Sequence, residues 1–97
     1  MNKIVLITGA SSGIGEGCAR KFALEGARLI LNSRSAEKLE ALADELKEKY
    51  GTACYVLPFD VRDRQAASAA LASLPEEWKA IDILINNAGL VIGVDKE

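Results

Sequence analysis

Apolar runs alternate along the chain with stretches in which apolar residues recur every three or four positions. The short apolar runs lie at 4–7, 29–31, 54–57 and 81–85, and helical periodicity fills the intervals between them. Continuous apolar runs are typical of strands covered on both faces, whereas a spacing of three and four indicates helices with one buried side. The pattern therefore predicts four strands that alternate with helices.

Capping residues mark the ends of the predicted helices. Gly26 ends the first helix, and Ser35 caps the second, which stops at Gly51. Asp63 caps the third, which Pro75 ends because proline cannot donate to the helical ladder. The predicted apolar sides consist of Ile14, Cys18, Phe22 and Ala23 in the first helix, Leu39, Leu42, Leu46 and Tyr50 in the second, and Ala66, Ala67, Ala70, Leu71 and Leu74 in the third.

This alternation of strand and helix predicts an α/β fold. Parallel strands joined by right-handed crossovers place helices on both faces of one sheet, and we expect the spatial strand order 3-2-1-4. The predicted fold class is a Rossmann-like, doubly wound parallel sheet.

A glycine-rich segment follows the first apolar run directly. Thr8-Gly9-Ala10-Ser11-Ser12-Gly13-Ile14-Gly15 joins strand to helix, where a sharply turning backbone can present its amides to an anion at the positive end of the helix. Its spacing differs from the Gly-x-Gly-x-x-Gly fingerprint, but its position between strand and helix indicates a dinucleotide-binding turn. We expect Gly13→Ala or Gly15→Val to abolish cofactor binding and to leave the helical CD of the intact protein nearly unchanged.

The segment after the second strand contains no acid. Asn32-Ser33-Arg34-Ser35 stands where an NAD-binding protein offers a carboxylate to the ribose 2′-hydroxyl. Arg34 instead presents a planar fork of donors suited to a 2′-phosphate, with Ser33 and Ser35 as hydroxyl partners, so the segment favours NADP. The alternative is a solvated arginine near a helix start.

Polar residues also follow the third and fourth strands. The carboxylate of Asp60 can accept from an adenine amino group while the Val61 amide donates to the ring, although aspartate is equally an ordinary turn residue. Asn86-Asn87-Ala88-Gly89 suits the close approach of a cofactor ribose, and it also suits a simple turn. Because ligands bind at the carboxyl ends of strands in open parallel sheets, the shared position of these segments supports one cofactor site.

Composition and charge exclude several other classes of function. Twelve basic and fourteen acidic residues give a net charge of −2, which argues against nucleic acid or an anionic membrane as a partner. The chain has no histidine, and Cys18 and Cys54 lack paired spacing, so we expect no metal site and free, reduced, mostly buried thiols. No apolar run approaches the roughly 20 residues of a membrane span, no signal peptide is evident, and the expected compartment is the cytoplasm.

Over its whole length the chain resembles the short-chain dehydrogenase/reductases, through the glycine turn at 8–15 and the Asn-Asn-Ala-Gly tetrad at 86–89. The resemblance implies an NADP-dependent oxidoreductase that moves a hydride between the cofactor and a small hydroxyl or carbonyl substrate, working as a homotetramer. The cofactor-binding residues it implies are Gly9, Ala10, Ser11, Ser12, Gly13, Ile14 and Gly15 in the turn, Arg34 at the 2′-phosphate, Asp60 and Val61 at the adenine, and Asn87 at the nicotinamide-side ribose. Thr8 and Asn86 look structural.

A narrower resemblance is to the NADP-dependent serine/L-allo-threonine dehydrogenases, which act on 3-hydroxy acids. It rests on residues 60–64 and on residues 71–78 running into 81–85. That subgroup tends to place two arginines after the second strand, whereas Arg34 is followed here by Ser35. We interpret Trp78 as a hydrophobic anchor that closes the third helix rather than as a substrate contact.

Catalytic residues cannot be named within this chain. The family uses a serine, a tyrosine and a lysine four residues after the tyrosine, all placed beyond residue 97. Cys54 follows Tyr50 by four residues and Phe59 follows Tyr55 by four, so neither tyrosine has the lysine that the family pairs with its catalytic tyrosine. We therefore expect residues 1–97 to be the incomplete N-terminal part of one Rossmann-type dinucleotide-binding domain, inactive alone; the alternative is a naturally short, non-catalytic nucleotide-binding module.

Overall fold

The computed structural model describes residues 2–87 and confirms the alternation of strands and helices. The strands are β1 (Ile4–Thr8), β2 (Arg28–Leu31), β3 (Cys54–Val56) and β4 (Ile83–Asn86), and the helices are α1 (Gly13–Leu24), α2 (Ala36–Tyr50) and α3 (Arg64–Ala72), with a 3₁₀ turn at Glu76–Trp78. All strand pairs are parallel, in the predicted order β3-β2-β1-β4.

The central strand β1 separates two apolar cores. Val5 and Ile7 pack with residues of α1 and α2, whereas Ile4 and Leu6 pack with α3, the loop after β3 and Trp78. Successive side chains of a strand point to opposite faces, so a strand covered on both faces reads as one apolar run. The helices thus lie on both sides of the sheet, which is the doubly wound arrangement predicted.

The predicted helix caps are present. The side chains of Ser35 and Asp63 accept from backbone amides three residues later, at 3.3 and 3.1 Å. Gly26 and Gly51 follow α1 and α2 with φ of +85° and +70°, a conformation that favours glycine. No helix within residues 2–87 combines the length and the apolar character needed to cross a bilayer.

Two residues on the predicted apolar sides of helices are exposed. Ile14 is 75% exposed and Tyr50 is 41% exposed, so the prediction that they pack inward was wrong. They lie in the first turn of α1 and at the last residue of α2, where helical periodicity continues past the part of each helix that the sheet covers. The buried residues of α1 are Gly15, Ala19 and Ala23.

The last strand begins and ends later than its apolar run. The Asp82 carboxylate accepts from the Ile4 amide at 2.9 Å, and ladder pairing starts only at Val5 with Ile83. At the other end Asn86 joins the strand. β3 is shorter than predicted, ending before residue 57.

Trp78 closes the core that contains Ile4 and Leu6, near the amino ends of the strands. Its side chain is 9% exposed, its ring centroid lies 5.7 Å from that of Tyr55, and the Arg28 guanidinium lies 4.4 Å from the ring. This contact set confirms the interpretation of Trp78 as a packing anchor. The thiols of Cys18 and Cys54 are free and half-buried rather than mostly buried, and burial raises the pKa of Cys54 to about 11.

Candidate functional site

The turn between β1 and α1 is held by the carbonyl oxygen of Gly9. That oxygen accepts from the Ser12 amide at 3.1 Å, the Ser12 hydroxyl at 2.8 Å and the Asn87 side-chain amide at 3.2 Å. Gly9 has φ of +65°, which permits the reversal. The Ser12 hydroxyl also accepts from Gly15 and Asn87, so its hydrogen-bonding capacity is filled within the turn.

The glycines at 13 and 15 have different surroundings. A Cβ on Gly15 would lie 2.1 Å from the Gly9 carbonyl oxygen and 2.8 Å from Asn87 Nδ2, whereas a Cβ on Gly13 would meet nothing within 4 Å. A side chain at Gly15 would therefore force the backbone of the turn to move. The open space beside Gly13 is free for a ligand.

Donors for an anion stand at the start of α1. Gly13 and Ile14 lie in the first turn of α1, where a backbone amide has no carbonyl of the same helix to donate to. Neither amide has another partner within residues 2–87. The Ala10 amide, in contrast, donates to the Asn32 carbonyl at 2.8 Å. Of the predicted turn residues, Gly13 and Ile14 therefore offer backbone donors, while Ala10 and Ser12 maintain the shape.

The ends of β1 and β4 are joined by side chains. The Thr8 hydroxyl lies 3.1 Å from Asn86 Oδ1 and 3.4 Å from the Ile85 carbonyl. Thr8 is fully buried. These bonds agree with the structural role expected of Thr8 and Asn86.

A cleft of about 470 Å³ opens at the carboxyl ends of β1, β2 and β3. It is lined by Gly9, Ser11, Asn32, Ser33, Arg34, Ser35, Lys38, Phe59, Asp60, Val61 and Arg62. The cleft thus brings Gly9 and Ser11 of the glycine turn, the segment after β2 and the segment after β3 to one place. The other predicted site residues do not line it: Ala10, Ser12, Gly13, Ile14, Gly15 and Asn87. Ala88 and Gly89 of the predicted tetrad lie outside the described residues.

Asn32 fixes the floor of this cleft. Its side chain is 1% exposed, and Nδ2 donates to the carbonyls of Leu57 and Phe59 at 3.0 and 3.1 Å. These bonds tie the loop after β2 to the loop after β3. Asn32 was not singled out in the sequence, where asparagine after a strand indicates only a turn.

The serines beside Arg34 are engaged locally. Ser33 Oγ accepts from the Ser35 amide at 3.1 Å, and Ser35 Oγ caps α2. Their hydroxyl oxygens thus shape the loop that carries Arg34, and the predicted donation from these hydroxyls to a phosphate stays a prediction.

Asp60 is paired with Arg62 at the rim of the cleft. Arg62 Nε and Nη2 donate to Oδ1 and Oδ2 at 3.1 and 3.0 Å, and the Arg62 amide donates to Oδ1 at 2.9 Å. These bonds, with the charge of Arg34 nearby, lower the pKa of Asp60 to about 2. The carboxylate is therefore ionised at neutral pH.

The cleft has an excess of positive charge. Arg62 neutralises Asp60, whereas neither Arg34 nor Lys38 forms an ion pair with an acid in the part of the chain that is described. Both side chains are exposed. Lys38 was missed in the sequence, although its position three residues after the Ser35 cap could have shown that it lies on the first turn of α2, beside Arg34.

The tyrosines lie away from the cleft. Tyr55 packs against Trp78 near the amino ends of the strands, and Tyr50 is exposed at the end of α2. Within residues 2–87 no group of three or more His, Cys, Asp or Glu side chains is arranged to hold a metal ion. The described site is thus one of backbone donors, cations and one paired carboxylate.

Comparisons with known proteins agree with this geometry. The chain is 48% identical over 92 residues to the NADP-dependent 3-hydroxy acid dehydrogenase YdfG of Shigella flexneri, covering 95% of this chain and 36% of that protein. It is 50% identical over 93 residues to serine 3-dehydrogenase of Agrobacterium fabrum, covering 96% of this chain and 36% of that protein. A short-chain dehydrogenase from Sphingobium yanoikuyae in complex with NADPH superimposes with a TM-score of 0.79 at 43% identity, covering 91% of this chain and 34% of that one.

The chain therefore spans about a third of the length of the relatives it matches. The family model for the short chain dehydrogenases matches residues 3–97. The match to the family model agrees with the strand order, the glycine turn and the cleft at the strand ends. This chain therefore belongs to the short-chain dehydrogenase family.

Proposed function

We propose that the protein carrying this chain is an NADP-dependent oxidoreductase, and that residues 1–97 supply its cofactor-binding part. The observation that carries the proposal is the cleft at the strand ends, where two unpaired cations, an ionised carboxylate and the free Val61 amide lie beside the glycine turn. NADP, when bound, supplies hydride exchange. The site residues named in the sequence are proposed as its contacts.

The glycine turn fits a pyrophosphate. The amides of Gly13 and Ile14 have no partner among the described residues, and the space beside Gly13 is open. An anion there gains from the amides and from the positive end of α1. Ser11 and Gly9 line the adjoining wall of the cleft, towards the proposed ribose position.

Arg34 and Lys38 fit a 2′-phosphate. Arg34 offers a planar fork and Lys38 a flexible point charge, and both are unpaired within residues 2–87. No acid in the segment 32–35 competes for a ribose hydroxyl. This combination favours NADP over NAD.

Asp60 and Val61 fit an adenine. The Val61 amide has no hydrogen-bond partner among the described residues, and the neighbouring carboxylate is an acceptor. An acceptor beside a donor matches the amino group and the ring nitrogen of adenine.

The proposed substrate is a small hydroxyl or carbonyl compound, such as the 3-hydroxy acids serine and L-allo-threonine. The support is the identity to proteins named serine 3-dehydrogenase and 3-hydroxy acid dehydrogenase. Because neither Tyr50 nor Tyr55 has a lysine four residues on, acid–base catalysis is assigned to residues outside this chain. Asn87, which braces the glycine turn, is proposed to lie near the nicotinamide-side ribose.

A homotetramer and a cytoplasmic location stay predictions. Sedimentation velocity and cell fractionation of the protein from its complete reading frame would test them.

Titration of the protein from its complete reading frame with NADPH and NADH tests the proposed cofactor and function. We expect NADPH to bind at least about tenfold more tightly, since one charge-assisted bond is worth that much. Oxidation of serine or another 3-hydroxy acid should then produce NADPH absorbance. Equal affinity for the two cofactors, or binding of neither, would contradict the proposal. Tight NADPH binding without turnover would favour the non-catalytic module.

A further inference from the structure

Arg62 occupies most of the hydrogen-bonding capacity of Asp60. An ionised carboxylate has about four acceptor positions, two on each oxygen. Asp60 Oδ1 accepts from the Arg62 amide and from Nε, which fills it. Oδ2 accepts from Nη2 alone, so one acceptor position remains there for a ligand.

The pairing also fixes the orientation of the carboxylate. Two parallel bonds from a planar guanidinium hold both oxygens, and the Arg62 amide adds a third bond from the backbone. A carboxylate held in this way cannot rotate without breaking bonds. The pairing therefore restricts where the open position on Oδ2 can lie relative to the free Val61 amide, one residue away.

We propose that Arg62 is a positioning residue for adenine recognition, acting through Asp60. This inference rests on the proposed function, in which Asp60 and Val61 bind the adenine. Adenine carries an amino donor next to a ring acceptor, whereas hypoxanthine carries a carbonyl acceptor next to a ring donor. A fixed acceptor on Asp60 beside the Val61 donor matches the first pattern and opposes the second, so Arg62 contributes to selection of the base.

The Asp60–Arg62 pair contributes little to the fold. The Arg62 side chain is 64% exposed and that of Asp60 is 34% exposed, and exposed ion pairs add little to the free energy of unfolding. Its bonds join residues that are close in sequence and connect no two elements. Replacing Arg62 should therefore leave the protein folded, which makes its effect on binding measurable.

Binding of NADPH and of its hypoxanthine analogue, deamino-NADPH, tests the proposal in the protein from its complete reading frame. Wild type should prefer NADPH. Arg62→Ala should weaken NADPH about fivefold to tenfold, the loss expected when one charge-assisted bond is no longer oriented, and change deamino-NADPH less than about twofold. Arg62→Lys, with a single point charge, should restore part of the preference. Lys79→Ala, which removes a positive charge at the far end of the sheet, is the control and should change neither affinity.

Each other outcome has a definite meaning. Equal weakening of both cofactors by Arg62→Ala would overturn the proposal, because it would show that Arg62 acts only as a charge. Wild-type affinity that is the same for NADPH and deamino-NADPH would overturn it too, while leaving the proposed function intact. Failure of wild type to bind NADPH would instead overturn the proposed function. In an Asp60→Ala background, Arg62→Ala should have no further effect on NADPH, and a further loss there would contradict an action through Asp60.

Discussion

At the scale of single residues, Ser12 and Asn87 share a role that their position in the sequence does not indicate. Both were predicted as cofactor contacts, and both donate to the Gly9 carbonyl oxygen. The bonds that shape the turn are therefore made within the chain itself. A turn with its conformation already set loses less entropy on binding than a flexible one.

Substitutions at three glycines distinguish an effect on the conformation of the turn from an effect on NADPH binding. Gly15→Ala should lower both the melting temperature and the affinity for NADPH, because its Cβ would lie 2.1 Å from a backbone oxygen; overpacking of this kind costs about 1–3 kcal/mol. Gly13→Val should lose NADPH affinity and keep its melting temperature, since a Cβ at this position meets nothing within 4 Å in the protein itself. Gly17→Ala, also in open space, is the control.

Thermal unfolding and cofactor titration of the same three variants would check this. Retained NADPH affinity in Gly13→Val would show that no phosphate lies against residue 13. An unchanged melting temperature in Gly15→Ala would show that the turn can move without cost.

At the scale of elements, an ion-pair network joins α1 to α2. Arg20 donates to both carboxylate oxygens of Glu45, at 2.7 and 3.0 Å, and also to Glu16. The bonds from Arg20 lower the pKa of Glu45 from 4.5 to about 2. The helix that begins at the glycine turn is thereby fixed to the helix that begins beside Arg34.

The stabilising effect of Glu45 should depend on pH. Because its pKa is lower in the folded than in the unfolded chain, the carboxylate stabilises the fold above pH 4.5, and the effect is lost as the pH falls towards about 2. Glu45→Gln should therefore lower the melting temperature at pH 7 and have a shrinking effect in acid. Lys49→Gln removes only a more exposed pair at 3.4 Å and should lower it less.

Calorimetric scans from pH 7 down towards the lowered pKa of Glu45 would measure the melting temperatures of both variants. An effect of Glu45→Gln that stays constant over that range would contradict the role of the ionised carboxylate.

At the scale of the whole molecule, the architecture could be predicted because each element carries its own signal. The apolar run of β1 showed that helices cover both faces, and the alternation of elements led to the order β3-β2-β1-β4. Capping residues such as Ser35 and Gly51 showed where helices end, since their preferences arise from local backbone geometry.

Parts of the site depend on contacts between distant segments, and those could not be predicted. Periodicity assigned Ile14 to the core, but where a helix extends beyond its sheet is decided by tertiary packing. Arg62 lines the cleft because the loops after β2 and β3 meet there, joined by the buried side chain of Asn32. Sequence periodicity does not show which loops come into contact in the fold.

Arg34 is the residue on which the choice of cofactor depends. Calorimetric titration with 2′,5′-ADP and with 5′-AMP isolates the 2′-phosphate from the rest of the cofactor. In the protein from its complete reading frame, Arg34→Ala should weaken 2′,5′-ADP about tenfold or more and change 5′-AMP less than about twofold, because the guanidinium fork is a charge-assisted phosphate ligand. Lys79→Ala should change neither. Equal weakening of both nucleotides by Arg34→Ala, or no weakening of 2′,5′-ADP, would contradict the assignment of this cleft to NADP.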